Sequence, residues 1–139
     1  MTYSKYDPEN TVLAGFSYGA MTCLVAATQR NPSELWLFSL SPYFAEDIRS
    51  KNMNQSWLNN IGYRRVTVFN KLNFKDLADK INCKTLLFSG EIELSKWSVL
   101  QERVVLARTL LKNNIQTIVP SAGHDVSEPH YIKAIFKVI

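Results

Sequence analysis

The chain has 139 residues, of which 46% are hydrophobic and 12% aromatic; this composition predicts one folded domain over residues 1–139 and excludes an intrinsically disordered chain. Its 16 basic and 12 acidic residues give a formal charge of +4, but the basic residues are scattered, which argues against a nucleic-acid partner. No apolar run approaches the ~20 residues of a membrane span, so we expect no membrane association.

Residue types that often hold metals or form disulfides are few and far apart. Cys23 and Cys83 each lie beside apolar residues and are typical of small buried side chains in a reducing compartment, so we expect a cytoplasmic protein. With only two histidines besides, no group has the spacing of metal ligands, and the sequence predicts neither a metal nor a cofactor. Residues 1–8 (MTYSKYDP) are polar, and we expect no signal peptide there.

The predicted elements alternate between strands and helices. An apolar strand over 11–16 leads into a helix over about 18–29, and a second buried strand covers 35–40. The segment 43–82 is the least regular: 66–69 is a strand by residue type or part of a covering segment, and 74–81 has helical spacing. A strand over 84–89, a helix over about 97–113, a strand over 115–119 and a closing helix over 130–138 follow. This succession predicts an α/β fold, a mostly parallel sheet with helices on both faces.

The most informative motif is residues 15–19 (GFSYG), between the first strand and the first helix. A G-x-S-x-G in that context is typical of a nucleophile elbow, a tight turn that holds its serine, here Ser17, in a strained backbone geometry with the hydroxyl exposed. We expect glycines on both sides because the turn brings the two backbones too close for a Cβ. The alternative is a glycine-rich turn with no chemical role.

Two later motifs follow predicted strands in the same way. Residues 90–93 (GEIE) come after the strand over 84–89, and residues 123–125 (GHD) come after the strand over 115–119. Ser17, an acidic pair and His124 therefore occur in the order nucleophile, acid, base, each just beyond the carboxyl end of a strand. Open α/β sheets place their sites at that edge. The alternative is that glycine simply ends these strands.

With these three motifs, nearly the whole chain resembles the carboxyl-terminal part of an α/β-hydrolase-fold serine hydrolase, from the nucleophile elbow onward. The resemblance implies a truncated three-layer α/β sandwich in which Ser17 is the nucleophile, His124 the general base and the Tyr18 amide an oxyanion donor. It places the acid best on Glu93, with Glu91 as the alternative. The GEIE pattern and the Ser-Pro pair at 41–42 are also similar to esterases of the enterochelin-esterase-like branch.

Other candidate residues are weaker. Asp125 adjoins His124 and would have trouble reaching the Nδ1 atom of that histidine, and His130 in the closing helix is typical of surface or packing. We expect apolar walls of a substrate pocket, or plain packing, from four aromatic residues: Tyr18, Tyr43, Phe44 and Trp97.

The resemblance implies hydrolysis of a small-molecule carboxylic ester or thioester through an acyl-enzyme on Ser17. Acyl transfer to an acceptor other than water, or peptide cleavage, would use the same residues. The family usually has more strands before the elbow and takes its second oxyanion donor from a loop there, but only ten residues precede the strand over 11–16. That strand would then lie at a sheet edge, so we expect a homo-oligomer or a partner chain to cover it. The alternative function is a non-catalytic fragment or binding module that needs a partner chain.

Overall fold

The computed structural model describes residues 7–139; the first six residues, with most of the segment for which no signal peptide is expected, lie outside this range. Its strands form one sheet in the order β1-β2-β3-β4, and every pairing is parallel. They are β1 (Val12–Phe16), β2 (Glu34–Phe38), β3 (Lys84–Gly90) and β4 (Asn114–Val119). Because parallel neighbours require crossover connections, helices separate consecutive strands. The predicted α/β class with a parallel sheet is confirmed.

Eight α-helices connect and follow these strands within residues 7–139. They are α1 (Tyr18–Gln29), α2 (Ala45–Ile48), α3 (Gln55–Ile61), α4 (Tyr63–Phe69), α5 (Phe74–Ala78), α6 (Glu91–Lys96), α7 (Ser98–Leu110) and α8 (Pro129–Val138). The predicted helices correspond to α1, α5, α7 and α8, with ends that differ by a few residues.

The strand interpretation of residues 66–69 is wrong, because they lie in α4 and belong to a covering segment. Val68 is 57% exposed, whereas a strand of this parallel sheet would be largely buried. The Thr67 hydroxyl donates a hydrogen bond to the Tyr63 carbonyl four residues earlier, as threonines in helices do. The residue types favoured a strand, but the position of the segment in the fold decides its conformation.

Helices cover both faces of the sheet. Helix α1 packs on β1 and β2, and α5 and α7 complete the same layer, whereas α8 packs on the opposite face beside β4. The strands send leucines to the first layer and mainly aromatic residues, with Leu86 and Val119, to the second, where Phe38 and Phe88 meet the buried Tyr131 of α8. Together these layers make a three-layer sandwich.

Strand β1 has a single neighbour, β2, so it lies at one edge of the sheet that the described residues form. Val12 in this strand is 43% exposed. In the same part of the chain, no helix combines the length and the apolar character that crossing a membrane demands.

Candidate active site

Ser17 occupies the tight turn between β1 and α1. Its φ of 58° is in the left-handed region, its amide donates to the Phe38 carbonyl at 2.9 Å, and its carbonyl accepts from the Ala20 amide at 3.1 Å. A Cβ at Gly15 would overlap the Gly19 carbonyl, so the close approach expected of an elbow exists on that side. The expectation is wrong for Gly19, because a Cβ there would meet nothing within 4 Å.

A chain of hydrogen bonds joins Ser17, His124 and Glu93. The Ser17 Oγ lies 3.0 Å from His124 Nε2, and His124 Nδ1 lies 2.6 Å from Glu93 Oε2. The Glu93 side chain is fully buried, whereas the His124 side chain is 30% exposed. A neutral imidazole that donates its Nδ1 proton to the carboxylate has Nε2 free to accept the serine proton, so the geometry fixes one tautomer.

The chain of hydrogen bonds continues beyond Glu93 into the interior of the protein. The Glu93 Oε1 accepts from the Gly90 amide at 2.8 Å and from the Ser39 hydroxyl at 2.7 Å. Because Ser39 gives its only proton to Glu93, its Oγ must accept the hydrogen bond that joins it to the Tyr131 hydroxyl at 2.8 Å. Burial raises the pKa of Tyr131, so the phenol stays a neutral donor. With His124 included, three donors stabilise the buried carboxylate.

Gly90, at the end of β3, lets the loop that carries His124 come close. A Cβ on Gly90 would overlap the Ala122 carbonyl, and the Ile92 amide donates to that same carbonyl at 2.9 Å. Glu93 follows one turn later, in α6, a helix that the sequence did not predict. The absence of a side chain at residue 90 therefore allows acid and histidine to meet.

Backbone strain is concentrated at this edge of the sheet. Within residues 7–139, three residues other than glycine have a positive φ, and all are serines: Ser17 at 58°, Ser39 at 47° and Ser121 at 60°. They follow β1, β2 and β4. Such conformations cost roughly 1–3 kcal/mol each and tend to cluster where a site is held in a fixed geometry.

The weaker candidates lie elsewhere. Glu91 is exposed and its carboxylate accepts from the Ser121 amide at 2.9 Å, so the structure places Glu93, not Glu91, against His124. Asp125 is exposed, and hydrogen bonds from Ser127 lower its pKa. His130 is exposed in α8.

Ser41 is a site residue whose contact the sequence did not reveal. Its Oγ lies 3.0 Å from the Ser17 Oγ, and the residue is only 3% exposed. It lies in the loop that follows β2 (Glu34–Phe38), so the polar Ser-Pro pair after an apolar strand was the available signal.

The Ser17 hydroxyl opens onto a cleft of about 340 Å³, within the usual range for small-molecule sites. Tyr18, Tyr43 and Trp97 line this cleft as expected, but Phe44 does not, because it lies fully buried in the core against Phe74 of α5. Burial, together with the neighbouring Tyr18, raises the pKa of Tyr43 to about 12, which keeps that phenol neutral.

Helices α3 and α4 form the far wall of the cleft, which the sequence did not predict. Trp57, Asn60 and Ile61 lie on one face of α3, and Arg65 reaches the cleft from α4. Gly62, with a φ of 90°, joins the two helices in a conformation that other residues rarely adopt. The spacing 57, 60 and 61 was the sequence signal for this wall.

The described residues include no group of three or more histidine, cysteine, aspartate or glutamate side chains that could hold a metal ion. No model of a known protein family matches the chain, and no curated protein matches it either. A hydroxyl bonded to an imidazole that a carboxylate orients has the arrangement needed to activate the hydroxyl as a nucleophile.

Proposed function

We propose that this protein is a serine hydrolase of the α/β-hydrolase type that cleaves carboxylic esters or thioesters. The observation that carries the proposal is the continuous hydrogen-bond chain from Ser17 through His124 to the buried Glu93. Its position, beyond the carboxyl ends of β1, β3 and β4, is where parallel α/β sheets place substrates.

In the proposed reaction, His124 Nε2 takes the Ser17 proton while the Ser17 Oγ attacks the acyl carbon. Glu93 holds the ring in place and stabilises the imidazolium that forms. The imidazolium then returns its proton to the leaving alcohol or thiol, which leaves an acyl group on Ser17. A water molecule attacks this acyl-enzyme with the same base, releasing the acid and restoring the serine.

The negative charge of the tetrahedral intermediate needs donors near Ser17. The Tyr18 amide is at the first position of α1, where no intrahelical acceptor is available, so it is free to donate to the oxyanion. The Ser41 hydroxyl already contacts the attacking oxygen and is the nearest side-chain candidate for a second donor. In this chain, an oxyanion donor in the loop after β2 would take the place of the second donor that α/β-hydrolases supply from a loop before the elbow.

Labelling with a fluorophosphonate, followed by intact-mass analysis, tests the proposal. We expect one adduct on the wild-type protein and none on Ser17→Ala. His124→Ala should also abolish labelling, because the base is then lost. Ser98→Ala is the matched control, since Ser98 is exposed at the start of α7 and should leave labelling unchanged.

An adduct that persists in Ser17→Ala, or none on folded wild-type protein, would contradict the proposal. In the second case the non-catalytic module would become the better description. If the adduct forms on Ser17, fresh unlabelled protein would next be given ester, thioester and peptide substrates, with and without a competing alcohol or amine, to separate hydrolysis from acyl transfer and from peptide cleavage.

A further inference from the structure

The charge distribution in the cleft bears on the kind of substrate. Among residues 7–139, its lining includes one arginine, Arg65, and no aspartate or glutamate. The carboxylate of Glu93 is buried behind His124. The cleft therefore presents a positive charge beside neutral aromatic walls.

Among the described residues, no ion pair or side-chain hydrogen bond of Arg65 explains this position as structural. Among residues 7–139 it takes part in no ion pair and no side-chain hydrogen bond. Its neighbour Arg64 is also exposed but does not line the cleft. A guanidinium presents a planar set of donors that fits a carboxylate or phosphate, and its contribution is greater beside apolar surface than in open water.

The walls next to Arg65 suit the uncharged part of such a substrate. Trp57 and Trp97 form an edge-to-face pair with ring centroids 5.4 Å apart, and Trp97 in turn lies 5.6 Å from the His124 ring. An apolar or aromatic group packed there would extend from Ser17 towards α4.

We propose that the enzyme acts on anionic esters, whose carboxylate or phosphate group binds Arg65 while the scissile carbonyl lies at Ser17. This inference rests on the proposed function and names its substrate class. Arg65 acts in specificity, through binding, and takes no part in the transfer of protons at Ser17 and His124.

Matched pairs of esters test the inference. One pair is 4-acetoxybenzoate and the neutral 4-acetoxybenzamide, with the anion on the leaving group; the other is mono-4-nitrophenyl suberate and 4-nitrophenyl octanoate, with the anion on the acyl chain. We expect at least one pair to show a preference for the anion in kcat/KM. That preference should fall roughly tenfold in Arg65→Gln, as for the loss of a hydrogen bond to a charged group, and should weaken with added salt. Arg64→Gln should keep it.

The outcomes separate this inference from the proposed function. If Ser17-dependent hydrolysis occurs but Arg65→Gln leaves the anion preference of both pairs unchanged, the inference fails and the hydrolase proposal remains. If no ester is hydrolysed, titration of Ser17→Ala protein with the same compounds decides the inference by calorimetry. The inference is supported if Ser17→Ala protein binds an anionic ester and the double variant Ser17→Ala with Arg65→Gln does not. It is overturned if the two proteins do not differ in their binding of the anionic esters.

Discussion

At the scale of single residues, the buried end of the hydrogen-bond chain is the part that a simple serine–histidine–acid motif does not contain. Tyr131 and Ser39 do not line the cleft. Ser39 nevertheless donates to the Glu93 Oε1 and bonds to Tyr131, and these hydrogen bonds orient the carboxylate so that its Oε2 faces His124. The backbone of Ser39 is strained in this position, with a φ of 47°. A hydrogen bond to a charged group contributes about 1.5–3 kcal/mol, so their loss should be measurable at Ser17.

We expect Tyr131→Phe and Ser39→Gly to lower kcat for ester hydrolysis by roughly tenfold and to leave KM nearly unchanged, because the hydroxyls orient Glu93 without touching substrate. Glycine is chosen because it also relieves the strain at residue 39. The downfield proton resonance of His124 Nδ1–H should move in both variants, which loss of packing alone would not produce. Tyr63→Phe is the control, since Tyr63 is 86% exposed. Wild-type kcat in Tyr131→Phe would contradict the positioning role.

At the scale of elements, a buried ion pair fastens the segment after β2 to α7. Asp47 of α2 accepts from the Nε and Nη2 atoms of Arg103 at distances from 2.7 to 3.1 Å, and both side chains are almost fully buried. The guanidinium also packs against the Phe44 and Phe74 rings, at 4.8 and 4.1 Å. Burial raises the pKa of Asp47 even though Arg103 works in the opposite direction. Because burial is unfavourable for each charge, removing one partner would leave the other as an uncompensated charge in the core.

We expect Asp47→Ala to lower the free energy of unfolding by about 3–5 kcal/mol, because Arg103 is left as a buried charge without a counterion. Urea unfolding measures this. The double variant Asp47→Leu with Arg103→Met should be more stable than Asp47→Ala, since it removes both charges and fills the space. A double variant as unstable as the single one would mean that packing, and not the orphaned charge, sets the cost.

Glu46 of the same helix makes the stability of α5 depend on pH. Burial works to raise its pKa, but hydrogen bonds from the Phe74 and Lys75 amides, aided by Arg103, lower the pKa overall. As the pH falls, the unfolded chain therefore takes up the proton before the folded protein does, and the contribution of Glu46 is lost.

We expect Glu46→Gln to cost about 1 kcal/mol of unfolding free energy at pH 7, the usual contribution of a helix cap. The difference from wild type should shrink below about pH 4, where the carboxylate of the unfolded chain is protonated. Urea unfolding at several pH values measures it, with the exposed Glu9→Gln as the control. A difference that stays constant with pH would contradict the assignment.

The sequence predicts the elements that local pattern determines, and it fails where distant parts of the chain decide. The four strands and the helices α1, α7 and α8 carry clear periodicity, and the polar motifs after β1, β3 and β4 are visible as local breaks in apolar runs. Residues 43–73 carry only the short spacing 57, 60 and 61, so the sequence did not predict the wall formed by α3 and α4. In the site, Ser39 and Tyr131 are 92 residues apart, and only the packing of α8 on the sheet brings them together.

At the scale of the whole molecule, β1 is one of the two edge strands, with β4 at the other end of the sheet that the described residues form. Parallel edge strands expose unpaired amides and carbonyls, and native proteins usually cover or charge them. Here Val12 of β1 is 43% exposed. Apolar side chains beside an open edge favour association with another chain.

We therefore expect the isolated protein to form a homo-oligomer that dissociates on dilution, with β1 at the contact. Sedimentation velocity over a range of concentrations measures the mass. Val12→Lys should shift the protein towards monomer, because a lysine on an edge strand opposes pairing. Val105→Lys is the matched control, since Val105 is 63% exposed on α7, away from β1. A wild-type monomer at every concentration would exclude a second copy as the partner, and equal effects of both lysines would exclude β1 as the contact.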